Sequence, residues 1–167
     1  MGGKTTPVPR QPAKLSPPLV SFVGPSGTGK TTLLEGVIAG LNRRGLRVGA
    51  VKHDAHRIEL DTEGKDSWRL RRAGADSTLL VGGDQVAWFG AAPGPPPLEA
   101  IVGLFASGTD LVVVEGFRSA GLPTVVVERP GHRDGRWEPP DEALVLATVH
   151  PDQVDEVVEL LVERVLG

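Results

Sequence analysis

The sequence predicts an α/β protein of three layers, with a mainly parallel central sheet between flanking helices. Short runs rich in β-branched residues alternate with stretches in which apolar residues recur at helical spacing. Glycine- and proline-containing signals separate many of these segments. Strands that alternate with helices connect through right-handed crossovers, and this order favours a parallel sheet that is covered on both faces.

The first half of the chain contains six predicted elements. In order they are a strand, a helix, a strand, a helix and a pair of strands, at 19–24, 31–44, 46–52, 66–73, 77–83 and 85–89. Gly45 follows the first helix, where glycine commonly ends a helix. A tight Gly-Gly-Asp turn is expected to join the last two strands as a hairpin.

The second half begins after a proline-rich loop at 90–97. It is predicted to contain a helix, three strands and a closing helix, at 98–106, 110–116, 124–128, 143–149 and 151–166. The run DLVVVEG at 110–116 is continuously apolar at its centre, which is typical of a parallel strand that is buried on both faces. Pro151 is expected in the first turn of the closing helix.

Composition and length exclude several classes of protein. The 167 residues fit a single domain, expected at 19–167 after a disordered, proline-rich tail at 1–18. The sequence has no cysteine, which excludes disulfides and thiolate metal sites and suits the reducing cytoplasm. The net charge of −3 argues against nucleic-acid binding. No apolar run could span a membrane, and an N-terminus without an apolar signal core predicts no export.

The stretch GPSGTGKT at 24–31 matches the phosphate-loop motif G-x-x-x-x-G-K-[ST] at every fixed position. A predicted strand precedes it and a predicted helix follows it, as the motif requires. Glycines allow backbone amides to turn toward an anion, and the start of the helix adds a positive dipole. We expect Lys30 to reach the β- and γ-phosphates, Thr31 to offer its hydroxyl to Mg²⁺ and Thr32 to contact the α-phosphate.

Acidic residues at two places are candidates for the metal side of this site. Glu115 stands at the end of the predicted strand 110–116, as in a Walker B strand, so we expect it to bind Mg²⁺ directly or through water. The segment DTEG has the Asp-x-x-Gly spacing of a switch segment. This spacing predicts Asp61 near Mg²⁺ and the Gly64 amide near a γ-phosphate. A solvated acid at a strand end and a chance spacing are the alternatives.

The segment 51–67, VKHDAHRIELDTEGKDS, crowds histidines, acids and bases around one glycine. It follows a predicted strand, and ligands of such sheets bind beyond the carboxyl ends of the strands. We therefore expect Lys52, His53, Asp54 and His56 to emerge over the site.

The residues do not determine which base is bound. The Asn-Lys-x-Asp motif that reads guanine in many GTPases is absent, because the only asparagine, Asn42, lies inside the first predicted helix. We expect the strand end and loop at 147–152 to form a wall on the base side.

Three functions remain open from the residues alone. The first is a nucleotide-dependent adaptor with slow GTPase activity. The second is a P-loop kinase of a small metabolite, for which the arginine-rich segment 128–137 would serve as a lid. The third is a metal-chaperone GTPase. Its ligands would be scattered acids and the four histidines, His53, His56, His132 and His150. The simpler interpretation is that these histidines are exposed loop residues.

Together these motifs resemble the MobB family, the GTP-binding proteins of molybdopterin-guanine dinucleotide biosynthesis. The family pattern is a phosphate loop, Lys-His, Asp-x-x-Gly-Lys-Asp-Ser, Ala-Gly-Ala and Val-Glu-Gly-Phe. After the phosphate loop, these motifs stand here at 52–53, 61–67, 73–75 and 114–117. Glu63 occupies a position where the family often has proline. The resemblance extends over residues 19–167.

The resemblance implies a P-loop GTPase-like fold, a homodimer, and binding of GTP with Mg²⁺. It implies partnership with a MobA-like nucleotidyltransferase, which attaches GMP to molybdopterin, and GTP hydrolysis that is slow at most. Lys52, His53 and Lys65 are then expected to face a pterin phosphate or the transferase. The motif and the resemblance together imply nucleotide contacts at Gly24, Ser26, Gly27, Thr28, Gly29, Lys30, Thr31, Thr32 and Gly64. The implied metal ligands are Thr31, Asp61 and Glu115, and no catalytic residue is identified.

Overall fold

The computed structural model describes residues 16–53, 61–90, 96–105, 108–132, 137–138 and 140–167. The chain divides into two compact units, a sheet unit within Met1–His53 and Leu98–Gly167, and a hairpin unit within Asp54–Pro97. The strands are β1 Leu19–Val23, β2 Val48–Lys52, β3 Ser77–Val81, β4 Val86–Gly90, β5 Leu111–Glu115, β6 Thr124–Val127 and β7 Val145–Val149. The α-helices are α1 Lys30–Arg43, α2 Asp66–Arg72, α3 Leu98–Gly103 and α4 Val154–Leu161.

Five strands of the sheet unit form one parallel sheet in the order β2-β5-β1-β6-β7. β1 pairs with β5 on one side and with β6 on the other, and every pairing in this sheet is parallel. The three central strands are mainly apolar and buried, whereas the edge strands β2 and β7 are partly exposed. Burial on both faces explains why the central strands are continuous apolar runs. The predicted parallel sheet is confirmed.

Helices cover both faces of this sheet. α1 and α4 pack on one face, in a buried cluster that contains Phe22 of β1, Leu33 of α1 and Leu161 of α4. On the other face, Val102 of α3 packs in a cluster with Val114 of β5. The predicted order of helix layer, sheet and helix layer is therefore confirmed.

α1 and α4 approach each other closely because two glycines of α1 face α4. A Cβ atom on Gly36 would lie 2.7 Å from Val154 Cγ2, and one on Gly40 would lie 2.7 Å from Val158 Cγ2. Both distances are too short for a real contact, so a side chain at either glycine would push the helices apart. This pair of helices supports the strand from which the phosphate loop emerges.

Gly45 ends α1, and its φ of +80° lies in the left-handed region. The Gly45 N–H donates to Asn42 O over 2.9 Å, and the Leu46 N–H donates to Leu41 O over 3.2 Å. These two bonds form the Schellman motif, which satisfies carbonyl groups that the helix end would otherwise leave unpaired. The predicted glycine cap is confirmed.

The hairpin unit contains α2 and the antiparallel pair of β3 and β4. The Gly82 N–H donates to Gln85 O over 2.8 Å at the turn between the strands. Thr78 and Phe89 face each other across the pair; Thr78 is buried, and the Arg71 guanidinium of α2 lies 5.3 Å from the centroid of the Phe89 ring. α2 thus covers this face, and the predicted hairpin is confirmed.

The position of Pro151 differs from the prediction. α4 begins at Val154 with Gln153 as its N-cap, so the placement of Pro151 in the first helical turn is wrong. The Gln153 side-chain oxygen accepts a hydrogen bond from His150 N over 2.8 Å. This bond closes a turn through Pro151, which holds the proline in front of the helix.

Other boundaries differ by a few residues. β7 begins at Val145 after a short 3-10 turn, α3 ends at Gly103, and β4 extends to Gly90, which the prediction placed in a loop. The rest of that loop at 91–95, and residues 1–15 of the predicted tail, lie outside the described residues.

Candidate functional site

The phosphate-loop sequence lies between β1 and α1, beyond the carboxyl end of the parallel sheet. A Cβ atom on Gly24 would lie 2.2 Å from Val127 O, so only glycine lets the chain pass this neighbouring strand. Gly29 precedes α1 with a φ of +92°, and a Cβ atom there would lie 2.9 Å from Pro151 Cβ. The two glycines therefore allow the loop to lie close to β6 and to the loop after β7.

The predicted phosphate contacts at 24–32 run from the loop into the first turn of α1 and differ in exposure, whereas Gly64 belongs to the hairpin unit. The exposed members are Ser26, Gly27, Thr31 and Thr32. Thr28 is fully buried, and its hydroxyl donates to Pro25 O over 2.9 Å. Thr28 thus stabilises the loop with its side chain, which leaves its backbone amide as the group to face an anion.

Lys30 folds back over the loop. Its ammonium donates to Gly24 O over 3.1 Å and to Pro25 O over 2.7 Å. Burial lowers the pKa of Lys30; the charge of Glu115 opposes this lowering, and the charge of Lys52 adds to it. Carbonyl groups are neutral acceptors, so a phosphate oxygen would bind the ammonium more strongly than its present partners do.

Glu115 ends β5 beside the phosphate loop. Thr31 Oγ1 donates to Glu115 Oε2 over 2.9 Å. Lys52 Nζ, at the end of β2, lies 3.5 Å from Glu115 Oε1. The strand order β2-β5-β1 brings these three side chains together, although they are far apart in the sequence.

The Thr31–Glu115 pair fits Mg²⁺, which uses one or two protein oxygens and completes its shell with water and phosphate oxygens. Both are oxygen donors, and they stand beside the ammonium of Lys30 at the start of a helix. Over the residues that the structure describes, no three or more histidine or acidic side chains cluster as metal ligands. Asp54 and His56, which the sequence placed over the site, lie outside that part of the chain.

His53 lies against the exit of β5. Its N–H donates to Glu115 O over 2.9 Å, and its ring stacks on Phe117, with centroids 4.3 Å apart and planes 4° apart. Phe117 has a φ of +61°, which is rare for a residue other than glycine. Such strained residues persist where packing holds them and cluster at functional sites. The sequence indicated His53 but not this partner, although Phe117 ends the motif Val-Glu-Gly-Phe.

His132 contacts the phosphate loop, which the sequence did not predict. Its Nε2 lies 2.5 Å from Ser26 O, and a Cβ atom on Gly27 would lie 3.5 Å from its Cε1. His132 stands in the loop after β6, the neighbour of β1. The sequence analysis interpreted His132 as an exposed loop residue or a scattered metal ligand, since nothing in the sequence places β6 beside β1.

Comparison with known proteins assigns these motifs to one family. The family model of molybdopterin guanine dinucleotide synthesis protein B, MobB, matches residues 19–150. The chain belongs to the MobB family. Two relatives are named molybdopterin-guanine dinucleotide biosynthesis adapter protein. The one from Haemophilus influenzae is 37% identical over 139 residues, which are 83% of this chain and 78% of the relative. The one from Escherichia coli is 37% identical over 131 residues, 77% and 73% of the two chains.

Solved MobB structures share the fold. A crystal structure of molybdopterin-guanine biosynthesis protein B superimposes with a TM-score of 0.62 and 26% identity, over 89% of this chain and 99% of that one. The crystal structure of Bacillus subtilis MobB gives a TM-score of 0.61 and 26% identity, over 86% and 97% of the two chains. The predicted α/β P-loop fold is confirmed.

The MobB-like motif Asp-x-x-Gly-Lys-Asp-Ser belongs to the hairpin unit. Ser67 Oγ donates to Asp61 Oδ1 over 2.9 Å, and Arg71 Nη2 lies 3.2 Å from Oδ2. The Asp61 side chain is only 6% exposed. Gly64 has a φ of +84°, and the exposed Lys65 immediately precedes α2. The Asp61 carboxylate therefore stabilises α2, and its role toward Mg²⁺ stays a prediction.

Proposed function

We propose that this chain is a GTP-binding adaptor protein of molybdopterin-guanine dinucleotide biosynthesis. The observation that carries the proposal is the hydrogen bond from Thr31 to Glu115 beside Lys30, in a chain of the MobB family. In this arrangement Lys30 is a cation for phosphate, and Thr31 and Glu115 are a pair of oxygen donors for Mg²⁺. The relatives from two bacteria carry the name of adapter proteins of this pathway.

GTP with Mg²⁺ is the proposed ligand. Lys30 would exchange its bonds to Gly24 O and Pro25 O for phosphate oxygens, and Thr31 and Glu115 would hold the metal. When bound, Mg²⁺ neutralises charge on the β- and γ-phosphate oxygens. A metal at Glu115 would offset the carboxylate charge that Lys52 now faces, and Lys52 would then be available to an anion.

Hydrolysis of GTP by the chain alone is slow at most in this proposal. Glu115 accepts a hydrogen bond from the Thr31 hydroxyl and lies beside the ammonium of Lys52, so it is not free to take a proton from water. A fast reaction would need a group from a partner, as many P-loop GTPases do. We therefore assign the chain a binding role and no catalytic residue.

Lys52, His53 and Lys65 are the proposed contacts with molybdopterin or with a MobA-like nucleotidyltransferase. The side chain of Lys52 is 62% exposed, and Lys65 is exposed at the start of α2. Lysine ammonium groups bind phosphate as mobile point charges, which suits the phosphate of the pterin. His53 is held by its stack on Phe117, so its ring is oriented before any partner arrives.

A second copy of the chain is the proposed occupant of the outer hairpin face, defined by Leu79, Val81, Val86 and Trp88. These residues are 58%, 72%, 66% and 64% exposed. Leu79 is opposite Trp88 and Val81 is opposite Val86, so all four share one face of the hairpin.

The chemistry of the outer hairpin face favours a homodimer. α2 covers the other face of this two-stranded hairpin, and burial of the outer hairpin face against a second copy would add apolar contact. The four side chains carry no charge, so two copies can meet about a two-fold axis without repulsion. A single apolar surface that contacts itself closes the assembly at two subunits.

The proposed place of action is the cytoplasm. The absence of cysteine suits a reducing compartment. In the described part of the chain, no helix combines the length and the apolar character that crossing a bilayer requires.

Calorimetric titration with GTP and with ATP, each with and without Mg²⁺, tests this proposal. We expect GTP to bind at least about tenfold more tightly than ATP, and Mg²⁺ to strengthen the binding of GTP. Thr31→Val should remove most of the effect of Mg²⁺ while GTP still binds through Lys30. Preference for ATP would contradict the proposal and favour a metabolite kinase. Tight GTP binding without retention of a MobA-like transferase on the immobilised chain would contradict the adaptor role.

A further inference from the structure

His132 connects the loop after β6 to the backbone of the phosphate loop. Its Nε2 lies 2.5 Å from the carbonyl oxygen of Ser26. A carbonyl oxygen only accepts hydrogen bonds, so Nε2 must carry the hydrogen in this contact. The backbone N–H of His132 donates to Arg129 O over 3.0 Å, which forms a turn and directs the ring from a defined position.

The contact of His132 with Ser26 O determines the direction of the Gly27 amide, which belongs to the phosphate-loop motif. The peptide group between Ser26 and Gly27 is planar, and in a trans peptide the C=O and N–H point in opposite directions. A bond that fixes Ser26 O on one side therefore fixes the Gly27 N–H on the other. Gly27 has a φ of +77° and no side chain, so without this bond little restricts rotation of that peptide.

Residues between β6 and β7 make a further contact beside the site, through Arg118. Arg118, which follows Phe117 at the exit of β5, donates from Nη1 to Glu138 O over 2.5 Å. Its guanidinium lies 5.6 Å from the centroid of the Trp137 ring. Described residues between β6 and β7 thus contact both the phosphate loop and the segment that follows Glu115.

We infer that His132 is a positioning residue of the nucleotide site, which holds the Ser26–Gly27 peptide so that the Gly27 amide faces the phosphates. The inference rests on the proposed function, since it requires a phosphate ligand in the loop. It adds a residue that the phosphate-loop motif does not contain. The ligand class it serves is the polyphosphate itself, so the base should not matter.

Two substitutions separate the hydrogen bond from the ring. His132→Phe keeps a ring but removes the donor, whereas His132→Gln loses the ring but keeps an amide N–H near the position of Nε2. The full-length variants and the wild type are titrated with Mg²⁺·GTP and with Mg²⁺·pyrophosphate. Loss of one neutral hydrogen bond should weaken both ligands about three- to tenfold in His132→Phe. His132→Gln should stay within about twofold of the wild type.

Thermal unfolding of the same variants identifies a merely structural role, which would lower the midpoint temperature in both. Equal affinities of His132→Phe and the wild type would overturn the inference. So would equal weakening in the two variants, since the ring rather than the donor would then matter. An effect on GTP without an effect on pyrophosphate would also overturn it. A wild type that binds neither ligand would instead contradict the proposed function, and is recognised from the wild-type titration alone.

Discussion

Valine has opposite surroundings in the two units of this chain. Val20 of β1 is 0% exposed, whereas Val81 of β3 is 72% exposed. In the sheet unit, helices on both faces bury the central strands, whose side chains are mainly apolar. In the hairpin unit, α2 covers one face and the outer hairpin face is open. The difference teaches that the two units offer different surfaces: the sheet unit presents the phosphate loop for the proposed nucleotide, and the hairpin unit presents an exposed apolar face for the proposed second copy.

The largest expected effect is the loss of nucleotide binding in Lys30→Ala. Lys30 provides the ammonium over the phosphate loop, and a charged hydrogen bond to phosphate contributes enough that its loss should weaken GTP binding roughly 10- to 100-fold. Calorimetry with Mg²⁺·GTP measures the loss. The fold should persist, because the present partners of the ammonium are loop carbonyls.

Arg43→Ala is the matched control for Lys30→Ala, since it removes one positive charge from the opposite end of the same helix. Its GTP affinity should stay within about twofold of the wild type. If both variants lost affinity equally, the net charge of the sheet unit rather than Lys30 would govern binding.

The next largest effect is expected in the hairpin unit, where Trp88→Glu should weaken self-association. A carboxylate on the outer hairpin face would repel its copy in a dimer, and loss of a tryptophan that an interface covers weakens association by roughly tenfold or more. Sedimentation over a range of protein concentrations measures self-association. GTP affinity should not change, because the substitution leaves the sheet unit intact.

Asp84→Asn changes a charge at the turn of the same hairpin without altering the outer hairpin face, and it should associate like the wild type. Self-association of Trp88→Glu at the wild-type level would show that another surface joins the copies. A wild type that stays monomeric at high concentration would contradict the dimer.

Asp61 tests whether the hairpin unit also contributes to the metal. Asp61→Asn keeps an oxygen for Ser67 but removes the charge that faces Arg71, which should cost about 1–2 kcal/mol of local stability. Hydrogen exchange of the α2 amides measures that cost. If the predicted metal role holds, the Mg²⁺-dependent part of GTP affinity should fall as well.

Ser67→Ala is the control for Asp61→Asn, because it removes the hydrogen bond and leaves the carboxylate. It should loosen α2 and leave the Mg²⁺ dependence unchanged. The same Mg²⁺ dependence in Asp61→Asn and the wild type would restrict Asp61 to its structural contacts.

The smallest expected effect is a fractional uptake of protons when GTP binds. Burial lowers the pKa of Lys30 in the free protein, so its charge is lost at a lower pH than for an ordinary lysine. A bound phosphate favours the charged form, so binding should draw in protons as the pH rises toward this lowered pKa, and none well below it. Calorimetry in two buffers of different ionisation enthalpy, at about pH 7 and about pH 9, measures the uptake.

Lys30→Arg should abolish the pH dependence of this uptake, since arginine stays charged throughout that range. Proton release on binding, or the same uptake at both pH values in the wild type, would contradict the assignment of the titration to Lys30.

Local signals predicted much of the sheet unit. Periodicity, the cap at Gly45 and the phosphate-loop motif each depend on neighbours within a few residues, and each was found where the sequence indicated. The parallel sheet followed because strands and helices alternate. The closing helix was found as well, although its first turn was misplaced at Pro151, whose turn is closed by a side chain of Gln153.

Contacts that depend on strand order could not be predicted. His132 and Ser26 are 106 residues apart and meet only because β6 lies beside β1. His53 meets Phe117 for the same reason, since β2 lies beside β5. A single sequence gives the elements but not their order in the sheet, so it indicates site residues without their partners.

In this account the sheet unit binds the nucleotide and the hairpin unit binds a second copy. Hydrogen exchange of the wild type tests this division most directly, measured with and without Mg²⁺·GTP and at low and high protein concentration. We predict that GTP slows exchange at 24–32 at both concentrations. Raising the protein concentration should slow exchange in β3 and β4 whether or not GTP is present. Two results would contradict the account. One is exchange at 24–32 that GTP leaves unchanged. The other is slower exchange in β3 and β4 when GTP is added at a fixed protein concentration.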